Sequence, residues 1–193
     1  MASVGIHHAR GLFASLRITL NNTEKRIMPM KRLLSRFLIG ACTILGGCAS
    51  QSLAPIATVP EVDLNRFMGD WYVIACIPTA IETEAYNAVE SYRLDDDGTI
   101  ATTFTFRKGG FDGPEKRYNP RGFVKEDTGN AQWGMQFVWP IKADFRIAYL
   151  SEDYSSTVIA RNARDYVWIM ARSPKISATH YNELEEFVKD RRS

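Results

Sequence analysis

The chain has 193 residues, with 24 lysines and arginines, 22 aspartates and glutamates, and a formal charge of +2. Seven of the basic residues and one glutamate fall within residues 1–47, so the part from residue 48 onward carries 17 basic and 21 acidic residues and a formal charge of −4. We expect no nucleic-acid partner, because such a partner calls for a basic surface on the domain. The 146 residues from position 48 onward suit one domain.

A secretory signal is predicted just before Cys48. Residues 31–36 contain three basic side chains, residues 37–45 form an apolar run, and Gly46-Gly47 places small residues ahead of the cysteine. These are the three parts of a signal peptide, and the Leu-Gly-Gly-Cys ending resembles a bacterial lipobox, in which the cysteine carries lipid. The run is far shorter than the roughly 20 residues of a membrane-spanning helix. A buried helix that ends at a free cysteine is the remaining alternative.

Composition divides the chain into four parts. We interpret residues 1–29 as an over-called translation start or a leader, and residues 30–47 as a lipoprotein signal peptide. Residues 48–61 are the lipidated N-terminus and a linker, since residues 49–60 hold no charge and two prolines. Residues 62–193 form the folded domain.

The folded part begins as a succession of short β-like segments separated by turn signals. In residues 99–108, for example, Ile100, Thr102, Phe104 and Phe106 fall on one face of the predicted strand. Eight strands are predicted in this way, at 70–77, 86–94, 99–108, 116–125, 132–139, 144–149, 154–161 and 165–172. Pro120 interrupts the fourth, which indicates an edge or a bulge.

The period changes after Pro174. Tyr181, Leu184, Phe187 and Val188 have the spacing of an amphipathic helix. Eight strands with hairpin-length connections and one helix predict an all-β fold, an eight-stranded antiparallel up-and-down barrel with one C-terminal α-helix. The interior of such a barrel has room for one small ligand.

Three short motifs carry a family resemblance. Gly69-Asp70-Trp71 opens the first strand, Asp153-Tyr154 stands in the turn between the sixth and seventh strands, and Arg172 ends the eighth. With the lipobox, they make residues 62–189 similar to bacterial lipocalins of the outer-membrane lipoprotein (Blc) type. The resemblance implies that Gly69, Trp71, Asp153, Tyr154 and Arg172 are structural signatures. Trp71 then plugs the closed end of the barrel, with the Arg172 guanidinium on its indole face.

Ligand contacts are expected from the inward rows of the barrel. The candidates are Phe104, Phe106, Trp133, Met135, Phe137, Phe145, Ile147 and Tyr149. The alternative is that these rows simply fill the interior. Arg107 is the expected cation for a lipid acid at the open end, where Tyr86, Asn87 and Tyr118 are further polar candidates.

The resemblance implies a lipid-anchored binding protein and not an enzyme. Its ligand would be a fatty acid, such as a 16-carbon chain, a phospholipid or a lysophospholipid, bound for storage, transport or envelope maintenance. Alternatives are a carrier of a tetrapyrrole, carotenoid or quinone, an enzyme that uses Cys76 on a bound lipid, and a scaffold with a solid barrel. Ala49 after Cys48 favours the outer membrane, on its periplasmic face, and a homodimer is compatible with this interpretation.

No cofactor or metal site is predicted. His180 is the one histidine after residue 48 and falls in the predicted helix. Cys76 lies in an apolar run, which favours a buried, inert thiol.

Overall fold

The structure is a computed structural model that describes residues 54–192. The predictions of a leader, a signal peptide and an acylated Cys48 fall outside these residues. Two helices are present, α1 (Leu64–Phe67) and α2 (Ala178–Arg192). The strands are β1 (Gly69–Ile77), β2 (Ala85–Leu94), β3 (Thr99–Lys108), β4 (Glu115–Tyr118), β5 (Arg121–Val124), β6 (Gln132–Val138), β7 (Ile141–Leu150), β8 (Ser156–Ala160) and β9 (Val167–Ala171).

The strands close into a barrel. Apart from β4 and β5, consecutive strands pair antiparallel, and β9 returns to pair with β1, with Ala171 opposite Tyr72. Two segments, β4 and β5, both pair with β3, so they form one barrel strand that is interrupted at Pro120. The predicted eight-stranded up-and-down barrel with one C-terminal helix is therefore confirmed.

Alternation along β3 shows why these residues form a barrel wall. Ile100, Thr102, Phe104 and Phe106 are buried, while the residues between them are partly exposed. The β2–β3 turn ends at Gly98, whose φ of +78° is a conformation that glycine adopts without strain. One face of the strand therefore points into the barrel, as the period of two requires.

Helix α1 closes one end of the barrel, which we call the closed end. The side chain of Asp63 caps the helix, since its Oδ1 accepts hydrogen bonds from the backbone N–H of Asn65 and Arg66 at 2.9 and 3.3 Å. The capped turn buries Phe67, whose ring lies 5.0 Å from Trp71 and 5.5 Å from Trp133. Sequence periodicity did not predict this helix, because four residues make only about one turn.

Helix α2 lies on the outer surface of the barrel. Leu184 is buried against Ile169 of β9 and Val158 of β8, and Phe187 packs 5.4 Å from the ring of Tyr149. No helix within residues 54–192 combines the length and the apolar character needed to cross a bilayer.

The segment before α1 lies against the barrel. Ile56 is buried beside Ala148 and Ala160, and its N–H donates to Asn162 Oδ1 at 2.8 Å. The N–H of Val59 donates to the carbonyl of Ile147 at 3.0 Å. Within the predicted linker (residues 48–61), Ile56 and Val59 therefore lie against the barrel, held by one buried side chain and two hydrogen bonds.

Candidate functional site

The closed end is held by Trp71 and Arg172. Trp71 is fully buried and its Nε1–H donates to the carbonyl of Phe67 at 2.9 Å. The Arg172 guanidinium lies over the Trp71 ring, with Cζ 3.9 Å from the centroid. Its Nη1 donates to Asp70 O at 2.9 Å, and its Nη2 donates to Arg66 O at 2.8 Å and Phe67 O at 2.9 Å. One side chain thus ties β9 to β1 and to α1.

The other signature residues lie at the same end. Gly69 has a φ of +94°, and a Cβ there would stand 3.4 Å from Arg172 Nη1. The Tyr154 hydroxyl accepts from Asp63 N at 2.9 Å, and its carbonyl accepts from Arg172 Nε at 3.4 Å. Hydrogen bonds from Ser151 and Ser155 lower the pKa of Asp153 to about 2. The five residues therefore lie around the plug at the closed end of the barrel.

A cavity of about 350 Å³ opens at the opposite end, which we call the mouth. Its walls come from the barrel interior, from the β1–β2 loop (residues 79–82) and from the β8–β9 loop, which begins at Arg161. Phe104, Met135 and Phe145 supply much of its apolar surface. The barrel interior is therefore hollow on the side of the mouth, and aromatic rings fill it at the closed end.

Four of the eight inward candidates line this cavity. They are Phe104, Met135, Phe137 and Phe145. Trp133 and Ile147 are fully buried in the core instead. Phe106 is buried in the same core, with its ring stacked on Tyr118 at 6.1 Å.

Two candidates face away from the cavity. Tyr149 lies on the outside of the barrel against α2, because a register shift between Ile147 and Tyr149 breaks the alternation that the sequence pattern assumes. Arg107 is about half exposed and pairs with Glu115 at 3.7 Å. It follows Phe106 in β3 and so takes the opposite face of the strand.

The remaining polar candidates are spread around the mouth. The ring of Tyr86 packs 5.2 Å from Phe111, and Asn87 is exposed with a φ of +50°. None of the three, Tyr86, Asn87 or Tyr118, is among the cavity-lining residues of the described chain.

Two carboxyl groups in the cavity wall were missed from the sequence. Glu82 is only 6% exposed and accepts from Thr79 N at 2.8 Å, Thr79 Oγ1 at 2.6 Å and Trp168 Nε1 at 2.7 Å. Glu90 accepts a hydrogen bond from the hydroxyl of Tyr92. Burial raises the pKa of Glu90 to about 7; the Tyr92 hydrogen bond opposes this shift, and the nearby charge of Glu82 adds to it. The sequence pattern could have predicted this contact, because Glu90 and Tyr92 are two residues apart in β2 and so share one face of the strand.

Arg161 is a cation in the cavity wall. Its Nη1 lies 3.3 Å from Asp165 Oδ2, and its guanidinium stands over the Tyr166 ring at 5.0 Å. Its Nε is buried and, within residues 54–192, has no hydrogen-bond partner. Arg161 therefore lines the cavity as a cation, which the sequence had predicted of Arg107.

Cys76 does not have the surroundings of a nucleophile. Burial raises the pKa of its thiol to about 12, and the charges of Glu82 and Glu90 add to the shift. A thiol that stays protonated is a poor nucleophile. Within the described residues, no three His, Cys, Asp or Glu side chains are grouped as a metal site would need.

The chain was then compared with known proteins. Residues 62–192 match the family model described as a lipocalin-like domain. The chain belongs to the lipocalin family. The resemblance predicted from Gly69-Asp70-Trp71 and Arg172 is thereby confirmed, and lipocalins bind small hydrophobic ligands.

Curated relatives place this lipocalin near bacterial and plant members. The outer membrane lipoprotein Blc of Escherichia coli K12 is 27% identical over 165 residues, which cover 79% of this chain and 83% of the relative. Temperature-induced lipocalin-1 of Arabidopsis thaliana is 28% identical over 142 residues, which cover 66% of this chain and 72% of the relative. Together with the family model, these relatives confirm a bacterial lipocalin of the Blc type.

Solved structures share the fold. Insecticyanin from the tobacco hornworm Manduca sexta superposes with a TM-score of 0.56 at 14% identity, covering 71% of this chain and 77% of that chain. The cockroach allergen Per a 4 superposes with a TM-score of 0.53 at 14% identity, covering 70% and 85%. At such identities the likeness concerns the barrel alone.

Proposed function

We propose that this lipocalin is a lipid-anchored carrier, and not an enzyme, that takes the acyl chain of a single-chain lipid into its cavity. The observation that carries the proposal is the hollow of about 350 Å³ between Phe104, Met135 and Phe145. Aromatic rings and a flexible thioether suit an acyl chain, because methionine adapts to irregular apolar shapes. Burial of the chain supplies the affinity.

The volume favours a fatty acid or a lysophospholipid. Ligand pockets span roughly 300–1,000 Å³, and this cavity stands at the small end of that range. One acyl chain fits such a space, whereas the two chains of a complete phospholipid need more. A rigid tetrapyrrole or carotenoid is disfavoured for the same reason.

The cation at the mouth supports a ligand with an acidic head group. Arg161 lines the cavity and its side chain is 25% exposed. A phosphate or carboxylate at the mouth would form charge-assisted hydrogen bonds with the exposed end of its guanidinium. The head group would then stay at the mouth, with the chain directed inward.

A chain-length series tests the carrier function. Each methylene buried contributes about 0.8 kcal/mol, so calorimetric titration of lysophosphatidylglycerols is expected to show a Kd that falls about fourfold per added methylene until the cavity is full. Ala143→Phe fills the cavity from β7 and should abolish binding. Ala101→Phe, on the outward face of β3, is the matched control. Equal affinity in both variants would place the ligand elsewhere.

The anchor is a separate part of the proposal. Acylation of Cys48 would hold the barrel at a membrane, and three of the bacterial relatives are named outer membrane lipoproteins. We place the mature protein at the outer membrane, on its periplasmic face. Intact-mass analysis should find a mature chain that begins at acylated Cys48, and Cys48→Ala should remove the acyl mass.

A further inference from the structure

The β6–β7 hairpin ends in an exposed apolar surface. We call residues 137–141 the apolar hairpin tip: Phe137 is 50% exposed, Val138 67%, Trp139 82% and Ile141 70%. These are four of the six large apolar side chains that are exposed within residues 54–192. Single exposed apolar residues are ordinary, but a contiguous group marks an interaction site.

The tip stands at the mouth of the cavity. Phe137 belongs to both, since its side chain lines the cavity and is half exposed. Ile81, which is 41% exposed on the β1–β2 loop, also lines the cavity. Phe137 therefore connects the apolar hairpin tip to the cavity.

The N-terminal segment leaves the barrel at this same end. Ile56 is bonded to Asn162, in the β8–β9 loop next to cavity-lining Arg161. Asn162 N in turn donates to Asp144 Oδ2 at 2.9 Å. Ile141 is only three residues before Asp144 on β7, which is about 10 Å of strand. Ile56 is therefore at the same end of the barrel as the hairpin tip.

The length of chain ahead of Ile56 fits a membrane at the mouth. Ile56 is eight positions after Cys48, and an extended chain spans at most about 3.5 Å per residue step, or roughly 28 Å. This reach exceeds the ~10 Å by which Ile141 stands beyond Asp144. A lipid on Cys48 can thus enter a bilayer that the hairpin tip also touches.

The charges near the mouth favour a hydrophobic attachment. Arg107 pairs with Glu115 at 3.7 Å and Lys108 with Glu84 at 3.8 Å, so these cations are already matched by acids. The tip itself carries no charged side chain. Tryptophan is favoured at membrane interfaces, where its ring is apolar and its N–H meets water.

We propose that the apolar hairpin tip inserts into the interfacial layer of a phospholipid bilayer, so that the mouth of the cavity faces the acyl chains. The orientation rests on the proposed anchor at Cys48, whereas insertion of the tip requires only the exposed side chains. A single-chain lipid then passes between bilayer and barrel along Phe137 without crossing water.

Vesicle binding by the mature chain, residues 48–193 with Cys48→Ala, tests the insertion without the acyl anchor and without the predicted signal peptide. Vesicles of phosphatidylethanolamine and phosphatidylglycerol should bind this protein, and Trp139→Ser should lower the partition coefficient by about tenfold. Trp139→Phe, which keeps an aromatic ring, should retain most of the binding. Binding should persist at about 1 M salt, where the Debye length is ~3 Å.

Three results would overturn the proposal. One is vesicle binding that is equal for Trp139→Ser and its parent. Another is binding that 1 M salt abolishes, which would make it electrostatic. The third is a dimer in sedimentation analysis that Trp139→Ser converts to a monomer, because the tip would then be covered by a second copy. Lysophospholipid titration of the same variants separates the two proposals, since loss of the carrier function would leave vesicle binding intact.

Discussion

Removal of the Arg172 side chain should destabilise the barrel strongly. Arg172→Ala deletes three hydrogen bonds of 2.8–2.9 Å to the carbonyls of Arg66, Phe67 and Asp70, and the contact over Trp71. Partly exposed bonds of this kind contribute about 1 kcal/mol each, and the cation–π contact adds about 0.5–1 kcal/mol. We expect the free energy of unfolding to fall by about 4 kcal/mol and Tm by roughly 12 °C.

Urea unfolding followed by tryptophan fluorescence measures this loss. Arg172→Lys keeps the charge over Trp71 but not the planar fork that reaches three carbonyls, so it should lose about 2 kcal/mol. Arg107→Ala removes an exposed arginine whose ion pair spans 3.7 Å, and it should stay within about 0.5 kcal/mol of wild type. The reasoning is refuted if Arg172→Ala unfolds at the wild-type urea concentration, or if Arg172→Lys does so.

Three further predictions concern single side chains. Gly69→Ala forces a φ of +94° on a residue with a Cβ, so its free energy of unfolding, measured in urea, should be lower by about 1–2 kcal/mol. An unchanged urea midpoint would contradict the claim that this φ strains an alanine. Glu90 binds its proton more tightly when folded, with a pKa of about 7 against 4.5 unfolded. Its contribution to stability is therefore full below pH 4.5 and is lost as the pH rises to 7, by about 3 kcal/mol. Glu90→Gln should therefore show a smaller fall in the free energy of unfolding between pH 5 and pH 8 than the wild type. Parallel pH profiles of the two proteins would refute this. Cys76, with a thiol pKa of about 12, should resist iodoacetamide at pH 8 until urea is added, and Cys76→Ser should still bind lipid; rapid alkylation of the folded protein would show an accessible thiolate.

The barrel was predictable because its strands follow a strict period. In β3 each inward position that the alternation predicts is buried, from Ile100 to Phe106. The prediction failed where a strand departs from that period. Tyr149 comes after a register shift in β7 and faces α2. Nothing in the local sequence marks such a shift, which inserts one extra residue and moves the side chains after it to the other face.

The cavity was less predictable than the fold. Arg161 follows β8 in a loop, and only the closure of the barrel brings it beside Phe104 and Met135. Trp139 is the last residue of the strand predicted at 132–139, but β6 ends at Val138 and the Trp139 ring is exposed in the turn. Alternation assigns a face to a residue only where the strand is still paired.

The central claim is that the barrel holds one single-chain lipid, and native mass spectrometry tests it most directly. The mature chain, residues 48–193 with Cys48→Ala, purified without detergent and mixed with a lysophospholipid, should retain one lipid mass per barrel. The same protein with Ala143→Phe should retain none. A barrel that keeps no lipid before or after mixing, or that keeps it equally with Ala143→Phe, would contradict the account.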